Sequence, residues 1–442
     1  MFGTWAYKIS KAEYARKLFM QTDLFQKVDI VRMMPHNLGP RVSGLSLSFE
    51  NGDSYRGHRA VVNPAFRRSW PSHLFQTPMM ELMDVLERES AKPVDVLLWF
   101  RRGTLDVLGH IIMSFDFRAL RDPNNKKRAM YDSLLEAMLH PLYNMFPWLD
   151  LKLVWCGRKR AQSFANLKKF HRFIEKTIEE KRLKLLATGT LGETERDNSD
   201  LLTLMIEAHE HTKVHGAYDE KGKLLPSMTT EELRNNTIIF FVAGHDATAY
   251  GMNHMLMELA LNPDVQQWAR DKVISVIGDA PDAFPTDEQL AELSDLDMIV
   301  KESLRKNSVV SDVRRVLTEP VTLGKYTLPK GSWVMVDLWA MQHNPEYYPN
   351  PDKFIPERFA SSARENGHPN VPFTWAPFSE GSRKCIGHKF ALLTQRIMLA
   401  HLVHRFVWRL PAGSPFLTKP RTSTSGLISP IGLELEFESR HK

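Results

Sequence analysis

A mainly α-helical fold with a minor β part is predicted for this chain, on three observations. The run Ile238-Ile-Phe-Phe-Val-Ala-Gly244 is apolar on every face, and Thr229 with Glu232 forms a capping box ahead of it. That is the pattern of a helix buried at the centre of a large domain. Extended, turn-punctuated stretches come late, between Val316 and Val336 and again in the tail. Finally, a Gly-punctuated loop, Phe378 to Gly387, presents one cysteine and runs directly into an apolar helix.

Taken in order, the chain opens on a strand fragment and an amphipathic helix, Ser10 to Gln26. A loop rich in Met, Pro, Gly and Ser follows, Met33 to Asp53, then a basic helix, Ser54 to Arg68. Helical spacing of Leu and Val runs from Pro71 to Met113 and again from Lys126 to Leu186. The polar stretch Ala187 to Leu201 reads as a surface loop between helices. The long helix opening at Thr229 is expected to run to Asn262-Pro263, where proline stops it. A second capping box, Thr286 with Gln289, opens a helical region reaching Lys306. Strands follow at Val316 to Leu323 and Lys325 to Val336, with a turn at Gly324. A Pro-rich meander, Asn344 to Phe359, leads to the cysteine loop, and the tail from Phe416 to Ser439 reads as strands and turns.

Composition narrows the function classes. A hydrophobic fraction of 43% over 442 residues supports a full core. Two cysteines, Cys156 and Cys385, make no disulfide framework. The net charge of +6 suits an acidic partner or an anionic membrane surface. Nucleic acid is not expected, because no Lys/Arg block or interleaved aromatic motif is present. No run of the roughly 20 apolar residues that span a bilayer is found, and no signal-peptide core.

A free cysteine is usually a small buried core residue. Three details instead favour a thiolate ligand at Cys385. Gly381 and Gly387 can adopt backbone conformations closed to other residues, letting the loop fold tightly around the sulfur beside a flat cofactor. Amides at a helix N-terminus stabilise a thiolate and lower its pKa. Arg383, two residues before the cysteine, is placed to pair with an anionic cofactor edge.

Phe378, Gly381, Arg383, Cys385 and Gly387 reproduce the F-x-x-G-x-R-x-C-x-G haem loop, and the chain resembles the cytochromes P450 of the eukaryotic microsomal type. Glu302-Ser-Leu-Arg305, with Phe354-Ile-Pro-Glu-Arg358-Phe359, resembles the family's buried Glu–Arg–Arg set. Tyr55-Arg-Gly-His-Arg59 resembles its W-x-x-x-R helix, with Tyr55 in place of Trp. Arg59, Arg315 and Arg383 are implied to neutralise the two haem propionates, although the neighbouring Arg314 leaves the assignment of Arg315 open. Ala243-Gly-His-Asp-Ala-Thr248 resembles the oxygen-activation motif, with Asp246 and Thr248 as its catalytic pair and Gly244 leaving room for oxygen and substrate. Here the chain departs from the pattern: Ala247 stands where the threonine is usual. Consecutive helical residues point about 100° apart, so Thr248 does not take over that place. Either Asp246 and ordered water carry the proton, or oxygen activation is inefficient, or the enzyme rearranges an already oxygenated substrate without a reductase. His245 is expected to make a hydrogen bond within the bundle.

The resemblance implies one domain over residues 1–442, a helical bundle around a buried haem b with small antiparallel sheets. The usual N-terminal anchor and the first helix and strand are not seen before the residues matching Met1 to Lys8. It implies a monooxygenase that takes electrons from NADPH through NADPH–cytochrome P450 reductase at the cytosolic face of the endoplasmic reticulum. An apolar small-molecule substrate and a place in specialised metabolism are expected, with a catalytically inactive haem-binding protein as a further alternative. Substrate-facing positions fall at Met33 to Ser48, Phe240, Phe241, Ala243, Val309 to Val313 and Gly426 to Ser429. Arg56, Arg67, Arg68, Lys384 and Lys389 are expected to form a docking patch for the acidic redox partner.

Overall fold

The computed structural model describes residues 5–113, 115–122, 124–138, 140–152, 157–189, 200–216, 228–363, 371–423 and 427–441. Cys156, Gly426 and most of the Ala187 to Leu201 stretch lie outside them. Helices dominate, and the short strands fall into three sheets among the described residues. In the first, β1 (Ala6–Ile9), β2 (Phe25–Gln26), β4 (Asp312–Leu317) and β7 (Trp333–Asp337) lie in the order β1-β7-β4-β2. The second holds β3 (Val94–Asp95), β8 (Phe406–Arg409) and β9 (Glu434–Ser439), with β9 in the middle; the third is the hairpin of β5 (Val321–Leu323) and β6 (Tyr326–Leu328). The sheets are antiparallel with one exception: β1 pairs with β7 in parallel, Ala6 opposite Trp333. Two apolar cores result. The larger surrounds the central helices, and the smaller lies where the helix Ala12–Met20 covers the first sheet with Leu18 and Phe19.

Both capping boxes form as expected, at Thr229 with Glu232 and at Thr286 with Gln289. The helix opened by the first does not run unbroken to Asn262. It is divided at His245 into Thr230–Gly244 and Asp246–Leu261. Gly244 lies hard against the helix Val96–Ile112, where a Cβ would sit 2.8 Å from Leu108 Cδ2. Thr104 Oγ1 of that neighbour lies 3.1 Å from the His245 carbonyl, which also accepts the Ala249 amide at 3.0 Å. Gly244 therefore serves close helix packing. Other differences have local causes. The pattern from Pro71 to Met113 forms two helices, His73–Glu89 and Val96–Ile112, because Lys92-Pro93 disfavours helix between them. The first helix stops at Met20, since Phe25 and Gln26 pair instead with Leu317 and Val316 of β4. The loop from Met33 to Asp53 contains the short helix Leu38–Ser43, capped by Asn37.

The expected Glu–Arg–Arg set is present and buried. Arg305 donates to both oxygens of Glu302, at 2.7 and 2.9 Å, and Arg358 reaches the same carboxylate at 3.3 Å. The Ile355 amide donates to it as well, at 2.9 Å. Arg305 also donates to the Gln342 and Lys353 carbonyls and Arg358 Nη2 to the Asn350 carbonyl, while Arg358 Nη1 is buried without a partner. Gln342 then accepts the Ala376 amide at 3.2 Å, just ahead of the cysteine loop. A buried carboxylate shared by two cations is tolerable because both of its oxygens accept charge-assisted hydrogen bonds. Glu302→Gln leaves both guanidinium groups without a counter-charge and is expected to cost about 3–5 kcal/mol in urea unfolding.

Candidate active site

Cys385 sits at the end of a loop that doubles back on itself: its amide donates to the Phe378 carbonyl at 2.8 Å. Gly381 makes the turn possible, with φ +72° and a missing side chain directed at the Phe19 carbonyl. Gly387 is different. Its φ of −83° is open to any residue, so conformational freedom does not explain it. What it leaves is space, since the nearest neighbour of a Cβ there would be Phe66 at 3.9 Å. Phe66 also stacks on Phe240, ring centroids 5.6 Å apart. One phenylalanine thus borders both the cysteine loop and the broken central helix. On that helix Ala243 is exposed and Ala247, one turn on, is half-buried, which makes a stripe of two methyl groups.

Positive charge gathers around the sulfur, and of these cations Lys384 has a carboxylate partner, Glu380, whereas Lys27, Arg59, Arg315 and Arg383 have no ion pair among the described residues. Tyr55 donates its hydroxyl to the Ser382 carbonyl at 2.6 Å, and the Arg383 guanidinium lies over its ring at 3.4 Å. Arg59 donates to the Lys384 carbonyl at 3.2 Å, and Arg383 to Asn51 at 3.0 Å. Arg315 is 1% exposed, bonded only to a carbonyl oxygen, and its Nε has no partner; Arg383 Nη1 is likewise buried and unpartnered. Arg314 turns outward to Asp312 at 2.5 Å, so that of the two neighbours Arg315 is the buried one. Lys27, which no motif marked, joins the cluster from the chain just after β2. Burial, reinforced by Arg315 and Arg383, pulls its pKa down to about 7. The same effects, burial first and then Arg383, bring Arg315 down to about 10. Desolvation also pushes the Cys385 thiol up, against the Gly387 amide and the charges of Arg59, Lys27 and Lys384. The expected net lowering is thus not found in the protein alone.

Buried, unpaired cations are costly and call for an anion. An accessible thiol, the space at Gly387 and orphaned donors at Arg315 and Arg383 suit a flat group with a metal centre and two carboxylates. Haem is such a group.

Across the helix, the buried Asp246 carboxylate accepts from Arg101 Nε at 2.7 Å and lies 3.1 Å from His245 Nε2. Burial alone would raise its pKa, but His245 and Arg101 outweigh it and hold the carboxyl well below the usual range. His245 also bonds the Phe241 carbonyl through Nδ1 at 2.9 Å, within the bundle as expected. Thr248 donates to the Gly244 carbonyl at 3.2 Å, one turn back along its own chain. Arg101 was legible only as an arginine pair in an otherwise apolar helix, Trp99-Phe-Arg-Arg-Gly103. The expected docking patch is partly neutralised. Arg56 pairs with Asp53, Lys384 with Glu380, and Arg68 bonds the Ile111 carbonyl, leaving Arg67 and Lys389 exposed. Two of the segments expected to face substrate meet, through the Ile428 amide and the Val309 carbonyl at 2.7 Å.

A cytochrome P450 family profile matches residues 5–437. The chain belongs to the cytochrome P450 family. Human cytochrome P450 3A7 is 28% identical over 376 residues, 82% of this chain and 70% of that protein. Mouse cytochrome P450 4X1 is 27% identical over 437 residues, 96% of this chain and 79% of that protein. Among solved structures, a cytochrome P450DA mutant haem domain superposes with a TM-score of 0.80 at 21% identity, covering 98% of this chain and 87% of the other. The retinoic acid-bound cyanobacterial CYP120A1 gives 0.75 at 21%, covering 98% and 88%. As a P450, the protein is a haem-dependent monooxygenase and an oxidoreductase.

Two substitutions separate the glycine roles. Gly381→Ala is expected to destabilise the chain by about 1–3 kcal/mol from its positive φ alone, before the clash with Phe19. Gly387→Ala is expected to leave unfolding of the haem-free P450 within about 0.5 kcal/mol, yet to speed haem loss to apomyoglobin. Lys27→Met tests the cation cluster. Binding a dianion raises the Lys27 pKa from about 7, so its help is full below that pH and shrinks as pH rises. The ratio of wild-type to Lys27→Met haem affinity should be level below pH 7 and fall above it.

Proposed function

We propose that this P450 inserts one oxygen atom into an apolar or moderately oxygenated small molecule, using haem held by Cys385. The observation that carries this reading is the group of uncompensated cations around an accessible cysteine. When bound, haem supplies dioxygen activation, with one oxygen atom entering the substrate and the other leaving as water. The Cys385 thiolate is its iron ligand, and thiolate ligation favours O–O cleavage. Arg59, Arg315, Arg383 and Lys27 take the two propionates; Phe378 and Gly381 shape the loop, and Gly387 keeps the macrocycle's approach clear.

On the opposite side, Asp246 works as an ionised group. Its Oδ1 is held by Arg101, while Oδ2 has only a 3.5 Å contact with the same guanidinium. Oδ2 is the atom free to exchange a proton with ordered water. The stripe of Ala243 and Ala247 excludes water without supplying a hydroxyl, and Thr248 stays bonded to its own helix. Electrons reach the site from NADPH through NADPH–cytochrome P450 reductase, which docks on the face bearing Arg67 and Lys389. The mammalian relatives favour the cytosolic face of the endoplasmic reticulum. Among the described residues no helix is long and apolar enough to cross a membrane. Aromatic and aliphatic residues at Phe240, Phe241, Val309 and Leu427 suit terpenoid, polyketide or fatty acyl substrates, and specialised metabolism is the setting we assign.

The deciding experiment is the carbon monoxide difference spectrum of the reduced protein, followed by NADPH consumption against such substrates with added reductase. A thiolate-type spectrum lost in Cys385→Ala, with reductase-dependent product, supports the proposal. Turnover of a hydroperoxide without NADPH would instead assign an isomerase or dehydratase, the alternative Ala247 favours. A normal spectrum with no NADPH consumption would leave a haem-binding protein without turnover. Within the monooxygenase reading, Asp246→Asn should lower product formation by roughly 10²–10⁴-fold. Ala247→Thr should raise the share of NADPH consumption that ends in product.

A further inference from the structure

The helix His388–Arg405 starts beside Cys385 and ends at side chains that take no part in the haem site. His404, in its last turn, is 1% exposed. Strand β9 pairs antiparallel with β8, Phe406 opposite Ser439, so the chain leaving β9 returns over the helix end. The Arg440 amide donates to the Arg405 carbonyl at 2.9 Å and fixes that return. His441 is thereby set against His404, ring centroids 5.1 Å apart. A third segment supplies Asp279, one residue past Gly278, whose φ of +79° ends the helix Pro263–Ile277.

The ligand atoms of these three residues converge. Asp279 Oδ1 lies 3.9 Å from His404 Nε2 and 3.7 Å from His441 Nε2, and all three ligand atoms lie within 4.8 Å of one another. These separations are too long for hydrogen bonds. They are slightly wider than the roughly 3.4 Å that tetrahedral ligands keep around a zinc ion bonded at ~2.1 Å. A second observation points to a missing cation: His441 Nε2 is buried and has no hydrogen-bond partner. Burying such a group unpaired costs about 1–3 kcal/mol. Arg440 donates to Asp279 at 3.1 and 3.2 Å and fixes the orientation of the carboxylate, as outer partners of metal ligands do. Its charge also competes for that carboxylate, so the site is weaker than a closed structural one. His404 Nε2 now faces the Gly278 carbonyl at 3.2 Å and would exchange that contact for the metal. Burial holds the His404 pKa below its ordinary value, against the Gly278 carbonyl and with His441 and Arg440 adding to the effect.

We propose that Asp279, His404 and His441 form a second metal site, for a zinc-class divalent cation, that fastens the strand β9 to the far end of the helix leading from Cys385. Two imidazoles and one carboxylate select zinc, copper or nickel over calcium and magnesium, which prefer oxygen ligands.

The test is zinc chloride titrated into the haem-loaded full chain, read by calorimetry and by thermal unfolding. One saturable equivalent and a raised Tm are expected. His441→Ala and Asp279→Asn should each weaken that equivalent by about tenfold or more and remove the Tm rise, with the reduced carbon monoxide spectrum unchanged. His404 is so buried that its replacement risks the fold, so the His441 and Asp279 variants carry the decision. Zinc binding and Tm shift that are the same in both variants, or no saturable binding at all, overturn the proposal.

Discussion

Uncompensated positive charge around one sulfur is the constraint on which the working end of this molecule turns. Lys27, Arg59, Arg315 and Arg383 come from four separate segments; Arg315 and Arg383 press on Lys27, Arg383 on Arg315, and Arg59 on Arg383. Burying Arg315 to 1% exposure without a carboxylate is a sacrifice of stability by the protein alone. It makes sense as preorganisation: the donors are fixed before the dianion arrives, so little reorganisation remains when it binds. The rest of the fold keeps these cations from escaping to water. Arg383 is held by Asn51 and the Tyr55 ring, and Asn51 also clasps the backbone of Lys27 at both its amide and its carbonyl.

The two sides of the site are held by opposite kinds of electrostatics. On the sulfur side, cations lack partners and wait for one. Beneath the central helix, Asp246 is over-supplied, with Arg101 and His245 on one oxygen and Asp132 continuing the chain of charges toward the surface through Arg101 and Arg128. A neutral acid is therefore not stored there; an ionised one is, with one oxygen left lightly held. Ala247 beside it presents a methyl group. In the mechanism we propose, the chemistry at this position rests on water and on a carboxylate, not on a side-chain hydroxyl.

Much of this was legible in the residues, and the limits have physical reasons. The cysteine loop, the Glu302 set and both capping boxes are local or contiguous patterns whose chemistry is written into their spacing. Arg59 and Arg315 were legible through flanking motifs. Lys27 was not, because nothing around Gln26-Lys-Val28 differs from a surface strand. Only the convergence of β2 and β4 puts it near Arg315. The break at His245 was also hidden. An apolar run gives no sign that Gly244 meets Leu108, and tertiary packing decided it. Glycine was the least transparent residue: Gly381, Gly244 and Gly387 serve a positive φ, a helix crossing and an open space respectively.

The loop that carries Cys385 is completed by parts of the chain made long before it. Gly381 lies against the Phe19 carbonyl, Ser382 meets Thr22 at 3.3 Å, and the Ser382 carbonyl takes the Tyr55 hydroxyl, partners 360 and 327 positions away. During synthesis the first helix and its sheet partners are finished while the cysteine is still unmade. Closing such distant contacts is among the slower events of folding. The cofactor pocket therefore comes into being only after the ribosome has released nearly the whole chain, and haem capture belongs to the last steps of maturation.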